Sequence, residues 1–404
     1  MIVDERRNPR VTFLGIHPAP YISETLERVH SMGRVRIDSV FLFENCGHHP
    51  YLTARPGAAP RRFLDAKGAR FPLAHDTSNI FRCLDQLRPD AVFVAGYVQG
   101  TLRRAITWCL LKRIPCVLVA DTVDAGTSTA LAKCHAAVRA RLLRYAFRAF
   151  WVPGRASRDY WCSHGAAEDD VFEGAYCLDA QGLWTRTLEF LKFRSELRKK
   201  MDVGVGEFLF LFVGRLIQQR GIPYLLHAFE KVVRHEPNAR IIMVGSGPED
   251  RLVRDFAARL PNRAIRMLQP MSFEDLPSIY AIADAYVQPS VAEPYSLSTA
   301  QAAISGLPIV STDCVGATYD FCGAEAAPLI VPARDAEALA RAMMWAVSNQ
   351  STARGIGKAS QVRALRRTLD WAAHQFTQAV ARSMRPQKKT SSGNTAASSV
   401  GQVD

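Results

Sequence analysis

At 404 residues the chain exceeds one ordinary core, so two domains are expected and a small disulfide-stapled fold is excluded. Lys and Arg total 51 against 38 Asp and Glu, a net charge of +13, which asks for partners that are acidic somewhere. Nine cysteines without CxxC pairs suit the reduced thiols of a cytoplasmic protein, MIVDERRNPR is too charged for a signal peptide, and no apolar run approaches the roughly 18 residues of a membrane span.

Short runs rich in Val, Ile and Phe alternate with helical patterns, the order of parallel sheets covered by helices on both faces. In the first half strands are expected at 11–16, 37–43, 91–95, 116–120 and 150–153, and helices at 23–32, 78–87, 101–112 and 129–147. Residues 44–75, rich in Pro, Gly, Arg and His, read as one long loop, a type that is usually functional or mobile. Cys46 near His48 and His49 is a metal-like cluster without further ligands, so no metal site is expected. Between Asp124 and Asp159 there is no acidic residue, while Lys133, Arg139, Arg141, Arg144, Arg148, Arg155 and Arg158 all fall there. On a helix Arg141, Arg144 and Arg148 share one stripe and Val138, Leu142, Tyr145 and Ala146 another. That pattern suits an anionic bilayer surface at the inner face of the membrane, and equally a packed helix with a solvated basic face. The run lacks interleaved stacking aromatics, so no nucleic-acid partner is expected.

The same grammar restarts at Phe208, with strands at 208–213, 240–244, 265–268, 285–288, 309–311 and 329–331. Pro223 suits the first turn of a helix running to His235, and Ser272 with Asp275 makes a capping box for a helix through Ala283. A basic helical segment at 189–200 leads into the second domain. The expected division is 1–189 and 190–365, two doubly wound α/β domains, with helices at 335–348 and 370–384. Residues 366–385 form a C-terminal helical piece, and 386–404 should be disordered for want of core-forming side chains.

Ligands of open parallel sheets bind beyond the C-terminal strand ends, so the turns there are where chemistry is sought. In FVGRLIQQRG a tight turn at Gly214 is followed by Arg215 and Arg220, whose guanidinium forks match phosphate oxygens. In VGSGPE, Gly245 and Gly247 allow close backbone approach. In SVAEPYSLSTAQAAISGLP, Glu293 stands just ahead of a helix whose free N–H groups at Ser296, Leu297 and Ser298 favour an anion. A carboxylate beside an anion site is unwelcome unless it accepts from hydroxyls. Two arginines, a helix end and one carboxylate thus describe a ligand bearing both a diphosphate and a polyol. The first turn, GIHPAPY, has no GxGxxG fingerprint, which disfavours a nicotinamide dehydrogenase.

These residues resemble the retaining family 4 glycosyltransferases of the GT-B fold, with their GRL...KG turn, GxGP turn and acidic pair separated by seven residues. Here they stand as Gly214-Arg215-Leu216 with Arg220-Gly221, Gly245-Ser246-Gly247-Pro248, and Glu293 with Gln301. RAFWVPGRASRDYW, Asp179 and the PxPY turn of HPAPYISETLERV are similar to first-domain features of that family. The resemblance implies that Arg215 and Arg220 bind the donor diphosphate, that Glu293 contacts donor-sugar hydroxyls, that Tyr295, Ser296 and Leu297 supply N–H groups to phosphate, and that position 301 holds the ribose. It further implies no metal or other cofactor, with the leaving phosphate taking the acceptor proton. Departures are Gln301 where the family has Glu, Ser296 where it has Gly, and Asp121, Thr122 and Asp124 where it often has a first-domain His; His17 lies nearer the start.

The expected function is transfer of a sugar, with retention, from a nucleoside diphosphate sugar to a glycan or lipid-linked hydroxyl acceptor, in polysaccharide or glycolipid synthesis. The alternative is a nucleotide-sugar-binding or scaffold protein of the same fold that has lost turnover through Gln301 and Ser296.

Overall fold

The computed structural model describes residues 8–44, 57–65, 79–123, 134, 137–138, 141–143 and 145–385. Within them the first sheet comprises β1 (Arg10–Gly15), β2 (Arg36–Phe43), β3 (Arg61–Asp65), β4 (Ala91–Ala95), β5 (Cys116–Val119), β6 (Ala149–Val152) and β7 (Val171–Glu173). All are parallel, in the order β3-β2-β1-β4-β5-β6-β7. The second comprises β8 (Phe208–Val213), β9 (Ala239–Val244), β10 (Ile265–Leu268), β11 (Ala285–Gln288), β12 (Ile309–Thr312) and β13 (Ile330–Val331), again parallel, in the order β10-β9-β8-β11-β12-β13. Both orders reverse direction beside their first strand, between β1 and β4 and between β8 and β11, which opens a crevice at the strand ends.

The strands read as continuous apolar runs because both faces are covered. Along β8, Phe208, Phe210 and Phe212 point into one core with the Ile222–His235 and Ala336–Ser348 helices, while Leu209, Leu211 and Val213 point into the other with Leu276–Ile282 and Leu297–Ile304. Phe93 of β4 stacks on Phe376 at 4.1 Å between ring centres, and Trp151 of β6 meets the same ring edge-on at 5.1 Å. Phe376 belongs to the last described helix, Leu369–Met384, so the chain returns from the second sheet to finish the core of the first.

That return makes the seam between the sheets covalent twice over and polar at its centre. Asp320 accepts from the Arg155 N–H at 3.0 Å and pairs with Arg367 at 2.8 Å, while Arg367 also holds Glu173 at 2.7 Å. Burial pushes the Asp320 carboxyl up to about 6 even beside Arg367.

Several expectations need correction. The long loop predicted over 44–75 contains β3, an edge strand whose partners are backbone groups of β2, so RRFLD needs no apolar run to pair. Residues 45–56 and 66–75 of that segment, with Cys46, His48 and His49, lie outside the described residues, as do 386–404 and much of the helix expected over 129–147, with Lys133, Arg139 and Arg144 of the basic run. The segment predicted as one helix over 189–200 is two, Ala180–Leu191 and Arg194–Lys200, the first capped by Asp179 accepting from Gly182 N at 3.0 Å. Arg194 and Arg198 both clamp Asp284, which also accepts from Leu209 N, and this ties the second helix to the second sheet. β7 and the helices Arg155–Ser163 and Gln350–Leu365 had no distinct sequence signal. Ser272 and Asp275 bond each other, Asp275 N–H donating to Ser272 Oγ at 3.1 Å and the hydroxyl donating to Asp275 Oδ2 at 2.6 Å. They do so in the turn before the helix Leu276–Ile282, whose N-cap is Asp275, so they do not form the expected capping box.

Candidate active site

A cleft of about 350 Å³ lies between the two sets of strand ends. From the second domain it is lined by Gly214, Arg215, Arg220, Gly245, Glu293, Tyr295, Ser296, Leu297, Ser298 and Gln301. The structure therefore brings together the residues expected to bind the donor, except Gly247. Gly247 is occupied inside its own turn, donating its N–H to Asp250 Oδ1 at 2.8 Å.

The turn after β8 and the turn after β9 are locked to one another. Gly214 N–H donates to Val244 O and Leu216 N–H to Ser246 O, each at 3.0 Å. Gly245 has φ of +146°, and a Cβ there would fall 1.9 Å from Gly214 O, so the close approach this glycine permits is to neighbouring backbone. Gly221, at φ +68°, likewise lies where a Cβ would fall 1.9 Å from Pro289 O. Val291 N–H donates to Gln219 O at 2.9 Å, so the 218–221 turn and the loop before Glu293 move as one piece.

That piece sets two charges face to face. Glu293, 7% exposed, forms an ion pair with Arg220 across the strand ends. Its backbone is fixed as well, since Gly316 N–H donates to Glu293 O at 3.0 Å and Ala317 N–H to Tyr295 O at 2.8 Å. Arg215 is exposed on the cleft wall; its carbonyl accepts from Ile217 N–H at 3.0 Å, while its guanidinium makes no hydrogen bond or ion pair among the described residues. The pocket thus carries one neutralised Arg–Glu pair and one uncompensated cation.

Ser296 opens the Leu297–Ile304 helix at φ 87°, ψ 94°, a region that L-residues rarely occupy, and this is the backbone reason for a glycine at such a position. Its hydroxyl turns inward, accepting from Thr299 N–H at 3.3 Å and bonding Thr299 Oγ1 at 2.8 Å, so it caps the helix. Gln301, 2% exposed, accepts from the Tyr280 hydroxyl at 3.2 Å, while its Nε2 has no partner. A buried amide donor on a cleft wall is costly until something accepts from it. Burial pushes the Tyr280 and Tyr295 phenols well above their ordinary value and Tyr286 up to about 12, so all three stay neutral hydrogen-bonding groups.

The first domain contributes His17, Tyr21, Asp121 and Tyr176. Both His17 ring nitrogens lack partners, and burial lowers its pKa. Burial raises the Asp121 carboxyl, opposed first by its own backbone N–H and then by the neighbouring Tyr176 hydroxyl. Tyr176 and the far wall formed by Pro270, Met271, Phe273 and Leu276 were not foreseen. The strand-end rule applied to β10 would have found the wall. Tyr176 carries no local signal, because it reaches the cleft through packing against Tyr21 and Tyr295.

Among the described residues no helix is long and apolar enough to cross a membrane. Residues 193–363 match the family model of glycosyl transferases group 1. The chain is 32% identical over 129 residues to the uncharacterized glycosyltransferase MJ1607 of Methanocaldococcus jannaschii, covering 31% of this chain and 33% of that one. It is 29% identical over 191 residues to the D-inositol 3-phosphate glycosyltransferase of Saccharomonospora viridis, 44% of each. These matches span between a third and just under half of the curated relatives' length. In three dimensions Alr3699/HepE of Anabaena, solved in complex with UDP, superposes with a TM-score of 0.68 at 16% identity, over 92% of this chain and 99% of that one. The chain accordingly has the two-domain, Rossmann-like GT-B fold, and its second domain carries the match to glycosyl transferases group 1.

Proposed function

We propose that this protein is a retaining, metal-independent glycosyltransferase of family 4 type, moving a sugar from a nucleoside diphosphate sugar to a hydroxyl acceptor in polysaccharide or glycolipid synthesis. The observation that carries the reading is the convergence of Arg215, the Arg220–Glu293 pair, the Leu297–Ile304 helix N-terminus and the unpartnered Gln301 Nε2 on one interdomain cleft. The Anabaena protein, solved with UDP and with UDP-glucose, supports a nucleotide sugar as ligand.

Arg215 and the helix end stabilise charge as it develops on the leaving diphosphate. Glu293 accepts from sugar hydroxyls, with Arg220 shared between it and the phosphate. Gln301 Nε2 donates to a ribose hydroxyl, where a glutamate would only accept. The acceptor enters over the first domain, and closure about the Asp320–Arg367–Glu173 seam excludes water. Exposed Leu110 and Leu111 beside Lys112 and Arg113, with exposed Leu142 and Tyr145 beside Arg141, favour a lipid-linked acceptor met at the cytoplasmic membrane surface. Equal sedimentation with neutral and anionic vesicles would remove that part of the reading.

The test of the core reading is thermal shift and nucleoside diphosphate release with UDP-glucose, UDP-N-acetylglucosamine, ADP-glucose and GDP-mannose. At least one donor should stabilise the protein, and Arg215→Ala should abolish the shift. Binding without release would favour the binding-only alternative. Unchanged binding and turnover in both Arg215→Ala and Glu293→Ala would refute the site.

A further inference from the structure

A second cavity, of about 750 Å³, adjoins the active cleft. Phe273 lines both, and the Pro20–Ser31 helix gives Tyr21 to the cleft and Ser23 and Glu24 to the cavity. The other walls, among the described residues, are the start of β3, the Ala180–Leu191 helix with Arg186, and the loop before Leu276–Ile282. Ser23, 3% exposed, has a hydroxyl without a partner, and the same holds for Glu24 Oε2 and Arg186 Nε, each atom shielded from solvent. Buried polar atoms left in that state cost free energy until a ligand bonds them.

The chemistry of the three atoms selects the ligand. A carboxylate oxygen accepts, a guanidinium N–H donates and a hydroxyl does both, so the ligand must donate and accept at neighbouring atoms, as the adjacent hydroxyls of a sugar do. An anion is disfavoured. In a chain of net charge +13 this lining is balanced, counting His as neutral, with Glu24, Glu27 and Glu274 against Arg28, Arg61 and Arg186. Glu27 already holds Arg61 at 3.1 Å, and Arg28 pairs with Asp370. Phe273 adds an apolar face for the C–H side of a ring, and the volume suffices for a sugar unit.

We propose that this cavity is a subsite for a neutral sugar unit of the acceptor, at least one unit removed from the hydroxyl that reacts in the cleft. The inference rests on the glycosyl-transfer reading and narrows it: the acceptor is a glycan of two or more units, with any lipid attached beyond them. No proton moves at this subsite. Ser23 and Glu24 stand on the first domain, while Phe273 and the helix bearing Arg186 pack into the second, so a bound sugar bridges the two.

The test is saturation-transfer difference NMR on the full chain, with UDP, ADP or GDP at saturation and with methyl glucoside, maltotriose, cellotriose, chitotriose and mannotriose as probes. At least one trisaccharide should bind roughly tenfold tighter than methyl glucoside, with saturation reaching more than one ring. Arg186→Met removes the Nε donor and should weaken that trisaccharide roughly tenfold. Ser31→Trp, at an exposed position on the cavity rim, should obstruct the cavity without entering the core and should abolish the trisaccharide's advantage. Trisaccharides bound no better than methyl glucoside, or an advantage that survives both substitutions, overturn the subsite. An Arg186→Met protein that melts lower yet keeps its sugar affinity makes Arg186 a structural partner of Glu24 and overturns it too. Glucose 6-phosphate bound more tightly than methyl glucoside, with the difference lost in Arg186→Met, overturns the neutral assignment. Calorimetry with the three nucleoside diphosphates separates the two levels: a wild-type chain that binds none of them refutes the transfer reading, whereas one that binds a nucleotide and no trisaccharide refutes the subsite alone.

Discussion

The two domains share a strand order yet present their walls of the cleft in different ways. The second builds its wall from consecutive turns whose backbones interlock, Gly214 against Gly245 and Gly221 against Pro289. The first builds its wall from side chains delivered by separate segments, namely His17, Tyr21, Asp121 and Tyr176, with aromatic packing as the link between them. Recognition of a diphosphate uses backbone N–H groups and forked cations, which demand a rigid, locally encoded frame. Recognition of an acceptor hydroxyl needs only a few side chains at the right depth, and many sequences can supply them.

The largest expected effect probes the buried charge that this frame supports. Arg220→Ala leaves Glu293 buried without its cation and should cost about 3 kcal/mol in urea unfolding. In the first domain Arg28→Ala, which breaks the exposed pair with Asp370, should cost at most about 0.5 kcal/mol. Equal losses in the two would mean that the Arg220–Glu293 pair is solvated and the contrast between the walls false. Next in size is Gly221→Ala, which forces a side chain into both a left-handed backbone and the Pro289 carbonyl, for roughly 2 kcal/mol. Gly100→Ala, at the start of a first-domain helix with open space around it, should instead be neutral or stabilising by a few tenths of a kcal/mol. A Gly221→Ala protein with unchanged melting temperature would show that the turn yields.

This difference also explains what was legible in advance. Both doubly wound sheets could be read because fully covered strands such as FLFLFV announce themselves. The second-domain wall could be read because Gly, Arg and Glu at fixed spacing report backbone constraints that are local in the chain. β3 and β7 escaped because edge strands pair through backbone and need no apolar signature. Tyr176 escaped because its place depends on Tyr21, more than a hundred residues earlier, and on Tyr295, more than a hundred later. The return of the last helix to the first core escaped for the same reason: the apolar face of Leu369–Met384 predicts burial without naming the sheet that it covers.

A smaller effect belongs to the seam, where neither wall dominates. Glu24, on the Pro20–Ser31 helix, is pushed up to about 7, mainly by burial and further by the charge of Asp179, with the Asp179 backbone N–H and Arg186 pulling the other way. Its folded value lies above its unfolded one, so the folded state holds the proton more tightly. Stability from this group is therefore complete below about pH 4.5 and is lost as pH rises through about 7. After discounting for partial exposure, Glu24→Gln should gain about 1–2 kcal/mol over wild type at about pH 8 and nothing at about pH 4, checked by melting at both. A gain independent of pH would place the effect in packing.

The smallest effect falls at Ser296, where the donor wall departs from the glycine of its resemblance. Ser296→Gly relieves an unfavourable φ of 87°, a relief of about 1–3 kcal/mol. It also removes a helix cap, for which glycine substitutes at a cost of only a few tenths of a kcal/mol, and adds about 0.4–1 kcal/mol of chain entropy to the unfolded state. The net should be a gain of about 1 kcal/mol, with donor affinity unchanged or tighter, because the serine hydroxyl is bonded to Thr299. A loss of more than about 1 kcal/mol would mean that the hydroxyl contacts to Thr299 and Ser298 hold the turn in place. In that case the helix N-terminus proposed to face the phosphate would be set in this chain by a side-chain network, and the second-domain wall would resemble the first-domain wall more closely than its interlocked turns suggest.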